Sequence, residues 1–298
     1  MILPSPAQEP DWLDASRRAT VALSDILRAA PTTAERVRET GSMGEGGDRT
    51  LLIDADAEAA VFAELDHLHG EGARFTAISE ERGTVDYGST STLVMIDPID
   101  GSLNAKRRIS HHSLSVAVAD GPTLADVHFA YVFDFGPQEE WTASRGRGAT
   151  LDGVALPLEP GERRTGRGQL EVVGLESADP RWMAEAAERL VDVAYRVRAL
   201  GTIAVTLCQV AGARFDGMTT LKGCRAVDAA AGQLIVREAG GLVGLPSFAP
   251  VQGDPEWAAQ SLAAAPLDLI GHSALVAART AAGLAELAGV PALPSWRP

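Results

Sequence analysis

An apolar run that ends in two aspartates on a rigid turn is the most informative stretch of this 298-residue chain. The run covers residues 93–96, and the turn that follows it reads Asp97-Pro98-Ile99-Asp100-Gly101-Ser102. Because proline has no amide N–H to donate, the strand is expected to end there, with both carboxylates facing one point. The N–H groups around Gly101 and Ser102 are candidates for binding an anion. Carboxylates beside an anion favour a hard cation with oxygen ligands, and Mg²⁺ is the natural choice.

The first half of the chain has the pattern of helices packed on a largely antiparallel sheet. Apolar residues recur at helical spacing over 12–30 and 54–68, and a glycine-rich loop is predicted between them at 41–47. Three strands that can pair as a meander are predicted at 113–119, 126–134 and 139–143.

Strands and helices alternate in the second half of the chain, which is typical of an α/β arrangement. The predicted strands and helices lie at 170–173, 180–192, 195–200, 202–213 and 226–239. Residues 153–168 are rich in Gly, Pro and Arg and form the best candidate for a boundary. We therefore expect an α+β part over residues 1–155 and an α/β part over residues 156–298.

Charge and composition exclude several classes of protein. The chain has 26 Lys and Arg against 40 Asp and Glu, and its net charge of −14 repels nucleic acid. Its two cysteines, Cys208 and Cys224, form no CxxC pair, so a reducing cytoplasm is expected rather than a disulfide framework. Residues 1–10 lack the features of a signal peptide, and the apolar stretch 201–213 is too short to span a bilayer. We expect a cytoplasmic protein that binds neither nucleic acid nor a membrane.

The turn with two aspartates resembles the D-P-[IL]-D-G-[ST] signature of the inositol monophosphatase and fructose-1,6-bisphosphatase superfamily. Further segments resemble other motifs of that family, in the same order, within residues 47–243. They are Gly47-Asp48-Arg49-Thr50 through Asp54 and Glu58, Ile78-Ser79-Glu80-Glu81, Leu200-Gly201-Thr202-Ile203-Ala204, and Arg225-Ala226-Val227-Asp228-Ala229-Ala230 with Glu238-Ala239-Gly240-Gly241. Several motifs in register are much stronger evidence than one short motif. The variants look closest to archaeal enzymes that act on both inositol phosphates and fructose bisphosphate.

This resemblance implies a layered αβαβα fold, two or three Mg²⁺ ions, and hydrolysis of a small polyol or sugar phosphate. It implies that a first ion lies between Glu80 and Asp97, and that Asp97 is shared with a second ion. The residues that match the family's metal ligands are Glu80, Asp97, Ile99 through its carbonyl, Asp100, Asp228 and Asp54. Asp54 also has a simpler interpretation as the N-cap of the following helix.

The same resemblance implies roles in catalysis and in substrate binding. A metal-activated water would attack phosphorus with help from Ser102 and Asp54, and Glu80 would complete the catalytic set. Backbone N–H groups of Gly101 and Ser102 would hold the phosphate at the start of a helix. The segment Gly201-Thr202 would lie near the substrate, or would only start a helix.

Two departures from the family pattern concern the substrate. Lys106-Arg107-Arg108 stand where small, apolar or aromatic residues are common, and they either contact a second phosphate or carboxylate or form a solvated loop. Leu221 stands seven residues before Asp228, where inositol-specific relatives have a glutamate that binds a ring hydroxyl. Inositol 1-phosphate, fructose 1,6-bisphosphate, histidinol phosphate and 3′-phosphoadenosine 5′-phosphate therefore all stay open, and the basic loop slightly favours the fructose bisphosphate.

A second hypothesis is a catalytically silent relative that binds a phosphorylated metabolite or a partner protein. The full set of carboxylates at Glu80, Asp97, Asp100 and Asp228 argues against it, since a binding module has little need of them. Homodimers are common among relatives, although nothing in this sequence identifies an interface.

Overall fold

The computed structural model describes residues 10–43, 49–158 and 161–291, with the backbone alone described over 39–43 and 49–51. The α-helices in these residues are α1 Trp12–Ala29, α2 Thr33–Arg36, α3 Leu52–Gly70, α4 Ser102–Arg107, α5 Pro180–Leu190, α6 Ile203–Ala211, α7 Ala226–Glu238, α8 Pro255–Ala264 and α9 Ala281–Ala288. The strands are β1 Glu39–Met43, β2 Arg49–Leu51, β3 Thr76–Ser79, β4 Gly83–Asp86, β5 Leu93–Asp100, β6 Ser113–Ala119, β7 Val127–Asp134, β8 Glu139–Ser144, β9 Gly148–Leu151, β10 Val154–Ala155, β11 Leu170–Glu176, β12 Ala194–Arg198, β13 Gly217–Thr220, β14 Leu242–Gly244 and β15 Val276–Ala278. No described helix combines the length and the apolar character needed to cross a membrane.

Eight strands from the first half of the chain form one sheet in the order β10-β9-β8-β7-β6-β5-β3-β4. All neighbours in it are antiparallel except β3 and β5, which run parallel. The predicted meander is confirmed as β6, β7 and β8, because alternating or continuous apolar residues suit strands whose faces are both covered.

The strand that carries the two aspartates is longer than the sequence predicted. Strand β5 continues through Pro98 to Asp100 instead of ending at the proline. Its pairing with β6 shifts register between Asp97 and Asp100. A bulge of this kind leaves one residue unpaired, so the missing N–H of proline costs no ladder hydrogen bond there. The bulge is what brings both aspartates to the same end of the sheet.

The second sheet has five strands in the order β12-β11-β13-β15-β14. Strand β11 is parallel to both β12 and β13, and β15 is antiparallel to both β13 and β14. This mixed sheet and its helices agree with the predicted α/β second half. The sequence did not predict helices α8 and α9 or strands β13, β14 and β15.

Helices and sheets alternate as five layers. Helices α1 and α3 cover one face of the eight-stranded sheet through a core that includes Leu23, Phe62 and Phe75. Helices α6 and α7 lie between the two sheets in a core that includes Leu207 and Leu234. Helices α5, α8 and α9 pack on the outer face of the second sheet. The expected layered αβαβα fold is confirmed.

The change from the first sheet to the second falls between Ala155 and Leu170. Helix α7 lies beyond that point in the chain, yet it packs against β5, β6, β7 and β8. The two halves therefore share a core, and the division at residue 155 stays a prediction. The glycine-rich loop begins later than predicted, since Glu39–Met43 forms β1 paired with β2. Residues 44–47 of that loop, and Asp48, lie outside the described residues.

Candidate metal centre

Three carboxylates from separate segments meet at one end of the eight-stranded sheet. One oxygen each of Glu80, Asp97 and Asp228 lies within 4.8 Å of the other two. Glu80 follows β3 directly, and Asp97 lies on the parallel neighbour β5, where Ser79 pairs with Ile96. Asp228 lies in the first turn of α7, where its Oδ2 accepts the main-chain N–H of Arg225 at 2.8 Å. The sequence predicted all three as metal ligands, and the fold brings them together.

The electrostatics of this cluster favour a bound cation. Burial raises the pKa of Asp97 well above its usual value, and the charges of Glu80, Asp100 and Asp228 raise it further. Burial likewise raises the pKa of Asp100 to about 7 and that of Asp228 to about 6. Ionised carboxylates this close together repel one another, and a divalent cation removes that repulsion. The donor set consists of carboxylate oxygens, which suits a hard cation such as Mg²⁺.

Asp100 is held by the N-terminal end of α6. The Thr202 hydroxyl donates to its Oδ2, and the main-chain N–H of Ala204 donates to the same oxygen at 2.8 Å. Thr202 is also the N-cap of α6, since its hydroxyl accepts the N–H of Val205 at 3.3 Å. The sequence left open whether Gly201-Thr202 lies near the substrate or only starts a helix. The structure confirms that Thr202 starts α6, and its nearness to a substrate stays a prediction.

A buried glutamate that the sequence analysis missed fixes the turn before Thr202. Glu176, which is 2% exposed, lies at the end of β11. Its carboxylate accepts the N–H groups of Leu200 and Gly201, both at 2.9 Å, and the hydroxyl of Thr206 at 2.7 Å. Burial raises the pKa of Glu176 above its usual value, and these hydrogen bonds offset only part of that rise. The signal was an acidic residue at the end of an apolar run, as at Asp97, but the strand was predicted to end three residues earlier.

Two glycines make the close approach between the β5 turn and the α6 turn. Gly101 has φ +84°, and a Cβ there would lie 2.9 Å from the carbonyl oxygen of Gly201. Gly201 has φ +82°, and a Cβ there would lie 2.8 Å from Nδ2 of Asn104. That amide donates to the carbonyls of Leu200 at 2.6 Å and His111 at 2.8 Å. Backbone conformation and space both require glycine at these two positions.

The predicted helix start after Gly101 is confirmed, because α4 begins at Ser102. Ser102 and Gly101 are half-buried, and Ile99 is buried with its main-chain N–H donating to Oδ1 of Asp97 at 3.0 Å. The predicted substrate residues Gly101, Ser102, Gly201 and Thr202 thus lie around Asp100. Their contacts with a substrate stay predictions.

Arg225 ties two of the metal-centre carboxylates together. Its guanidinium donates to a carboxylate oxygen of Glu80, and its main-chain N–H donates to Oδ2 of Asp228. The Glu80 carboxylate, the first motif glutamate, is therefore held by a cation from α7. Arg225 stands within a motif of the sequence, but its contacts with Glu80 and Asp228 are visible only in the fold.

The predicted basic loop divides into two different environments. Lys106 points to Asp54, with its Nζ 3.6 Å from Oδ2 of that residue. Asp54 is buried in the first turn of α3, two residues inside the helix rather than at its N-cap. Arg107 and Arg108 are exposed, and Arg108 lines a cavity that contains none of the cluster carboxylates. Lys106 thus lies beside Asp54, whereas Arg108 lines a separate cavity.

Known proteins resemble this chain in sequence and in fold. A family model described as the inositol monophosphatase family matches residues 11–287. A fructose-1,6-bisphosphatase/inositol-1-monophosphatase from Methanothermobacter thermautotrophicus is 32% identical over 220 residues, covering 70% of this chain and 75% of the relative. A protein of Haemophilus influenzae named Nus factor SuhB is 37% identical over 199 residues, covering 66% and 71%. A solved inositol monophosphatase from Anabaena (Nostoc) sp. PCC 7120 matches the fold with a TM-score of 0.68 at 22% identity, over 96% of this chain and 98% of that one.

Proposed function

The chain belongs to the inositol monophosphatase family, and from that membership we propose that it is a Mg²⁺-dependent phosphatase of small polyol or sugar phosphates. The observation that carries the proposal is the meeting of Glu80, Asp97 and Asp228 within 4.8 Å, beside the buried Asp100. Hydrolysis by a metal-activated water at these residues would need no covalent enzyme intermediate. The cluster supplies oxygen ligands for hard cations at the point where two turns rich in N–H groups converge.

These residues would hold two or three Mg²⁺ ions. Glu80 and Asp97, with the carbonyl of Ile99, would hold one ion, and Asp97, Asp100 and Asp228 would hold another. Asp54 would serve a weaker third position. Bound there, Mg²⁺ lowers the pKa of water and offsets negative charge on a phosphate ester.

The protein's own groups orient the reactants around these carboxylates. The N–H groups of Gly101 and Ser102 at the start of α4 would hold the phosphate, and the Ser102 hydroxyl would position the attacking water. Thr202 and Ala204 keep Asp100 in a single orientation through their hydrogen bonds. Glu176 does not contact Asp100, but it positions Thr202 by accepting the main-chain N–H of Gly201, the residue before it.

The substrate class is narrowed by one buried side chain. Leu221 is 5% exposed and packs in the core of the second sheet with Trp257 and Val276. It offers no oxygen to a ring hydroxyl, so recognition of inositol would have to depend on other groups. Relatives whose names include both fructose-1,6-bisphosphatase and inositol-1-monophosphatase support a substrate in either group. Inositol 1-phosphate and fructose 1,6-bisphosphate are the leading candidates, and histidinol phosphate and 3′-phosphoadenosine 5′-phosphate are the alternatives.

A non-catalytic binding role is the second candidate. The observation in its favour is that several relatives, at 32–37% identity, carry the name Nus factor SuhB. The complete carboxylate cluster favours the enzyme, since binding alone does not require it.

A cytoplasmic location is supported by free thiols at both Cys208 and Cys224, and a homodimer stays a prediction.

The test is phosphate release by purified protein at saturating Mg²⁺, comparing fructose 1,6-bisphosphate with inositol 1-phosphate. Asp97→Asn is the blank, because it keeps the volume of the side chain and removes its charge. Release by the wild type that the Asp97→Asn protein lacks would support the enzyme, and the preferred ester would name the substrate. Absence of release from every ester named above, with Mg²⁺ bound, would favour the binding role.

A further inference from the structure

A cavity of about 280 Å³ lies at the far end of α4 from the metal centre. Its walls come from the end of α1, from α2, from the residue after α4 and from the segments flanking β6 and β7. Arg28, Arg36, Arg108 and His112 line it, and no aspartate or glutamate is among the described residues that do, although Arg28 is paired with Asp25 of α1. In a chain with a net charge of −14, such a concentration of cationic groups needs an explanation.

Arg36 is buried in this wall without a carboxylate partner in the described part of the chain. It is 8% exposed, and its three nitrogens donate to the main-chain carbonyls of Ala30, Ala105 and Leu27 at 2.7–2.9 Å. Carbonyl oxygens fix the guanidinium in place but leave its positive charge uncompensated. A guanidinium has five N–H donors, so two remain for a ligand.

Arg108 adds a second positive charge to the cavity, and His112 adds a buried ring nitrogen. Arg108 follows α4 in a left-handed conformation at φ +58°. The burial of Arg36 lowers the pKa of that residue, and the charge of Arg108 lowers it further. His112 is 7% exposed, and its Nδ1 has no hydrogen-bond partner among the residues that the structure describes. Burial, and then the charge of Arg36, lowers the pKa of His112. The charges of Arg36 and Arg108 repel each other, and an anion between them would remove that repulsion.

We infer that this cavity binds a phosphoryl anion, with Arg28, Arg36 and Arg108 as its cationic contacts. Guanidinium groups match the geometry and charge of a phosphoryl group better than any other side chain. The cavity volume is near the lower limit for ligand sites, which suits inorganic phosphate or the phosphoryl end of a small ester. Helix α4 has six residues and is about 9 Å long, so this site is separate from the turn at Gly101 and Ser102.

The experiment is calorimetric titration of the full chain with inorganic phosphate in EDTA, against chloride at equal ionic strength. Without divalent cations the carboxylate cluster repels phosphate, so the heat reports the arginine-lined cavity. Arg108→Gln should weaken binding about tenfold, because it removes one charge-assisted contact from an exposed side chain. The matched control is Arg167→Gln, which removes the same charge from an exposed residue outside the cavity and should bind as the wild type does.

No binding by the wild type, or equal affinity in the wild type and Arg108→Gln, would overturn the inference. A second titration with glycerol 3-phosphate identifies the source of the anion: tighter binding than inorganic phosphate indicates a phosphorylated metabolite, and equal binding indicates free phosphate. Because the titration needs neither metal nor turnover, a protein that binds phosphate here without hydrolysing any ester would refute the proposed enzyme and keep this site.

Discussion

Replacing Glu176 by glutamine tests whether a buried carboxylate outside the metal centre controls it. One oxygen of Glu176 accepts from Leu200 and Thr206, and the other accepts from Gly201. A glutamine can present its oxygen to only one side, so its NH₂ group must face a main-chain N–H on the other. One half-buried donor then loses its partner, which costs about 1–3 kcal/mol of unfolding free energy.

The loss should reach the metal centre through the same turn. Gly201 lies against Gly101, and the next residue, Thr202, holds Asp100, so a displaced turn changes the position of a proposed Mg²⁺ ligand. We expect Glu176→Gln to lower both the unfolding free energy in urea and the affinity for Mg²⁺ in calorimetry. The control is Glu171→Gln, the same substitution at an exposed position of the same strand. Equal stability and equal Mg²⁺ affinity in the two variants would refute the reasoning.

Three further predictions concern the carboxylate cluster and its turn. Asp97→Asn should abolish Mg²⁺-dependent turnover yet stabilise the metal-free protein, because burial and neighbouring charges raise the pKa of Asp97 in the folded state; urea unfolding in EDTA that shows a loss of stability would contradict this. Folding raises the pKa of Asp100 to about 7 and that of Asp228 to about 6, so the metal-free folded state binds more protons than the unfolded state. Its unfolding free energy should therefore decrease as the pH rises from 4 to 8. Saturating Mg²⁺ should remove that fall, and a metal-free stability that rises with pH over this window would be inconsistent with the cluster. Gly101→Ala should cost about 1–3 kcal/mol and most of the activity, since φ is +84° and the new Cβ would lie 2.9 Å from the carbonyl of Gly201; near-normal thermal unfolding and turnover would show that the turn adapts.

Much of the fold was predictable because its elements carry strong periodic signals. Helix α1 and the strands of the meander appeared at nearly the right bounds, since one face or both faces of each are apolar. Strand β5 was predicted too short, because the rule that proline ends a strand ignores a bulge, which only the pairing with β6 reveals. Helices α8 and α9 were missed, as alanine-rich segments of eight to ten residues carry little amphipathic contrast.

Some residues of the site could likewise be predicted from local sequence motifs, and others only from the tertiary structure. Asp97 and Asp100 stand in a short motif, and Glu80 and Asp228 in others, so the resemblance found each of them without knowing their distances. Glu176 could not be found from local pattern, because its role depends on main-chain N–H groups about 25 residues away in sequence.

The basic loop shows the limit of reading charge from sequence alone. Lys106 and Arg108 are two residues apart, yet a short helix sends one towards Asp54 and the other towards Arg36. Neither partner is visible in the run of three cations, and both come from elements near the start of the chain. Both interpretations of the run, as a substrate contact and as a solvated loop, gave its three cations one shared role, whereas the fold places Lys106 and Arg108 in different surroundings.

The most direct test of the central claim is the rate of phosphate release as a function of Mg²⁺ concentration, measured for the wild type and for Asp97→Asn. The account predicts no release in EDTA, a rate that rises and saturates with Mg²⁺ in the wild type, and no response in Asp97→Asn at any concentration. A wild-type rate that does not depend on Mg²⁺, or an Asp97→Asn protein that releases phosphate as fast as the wild type, would contradict it.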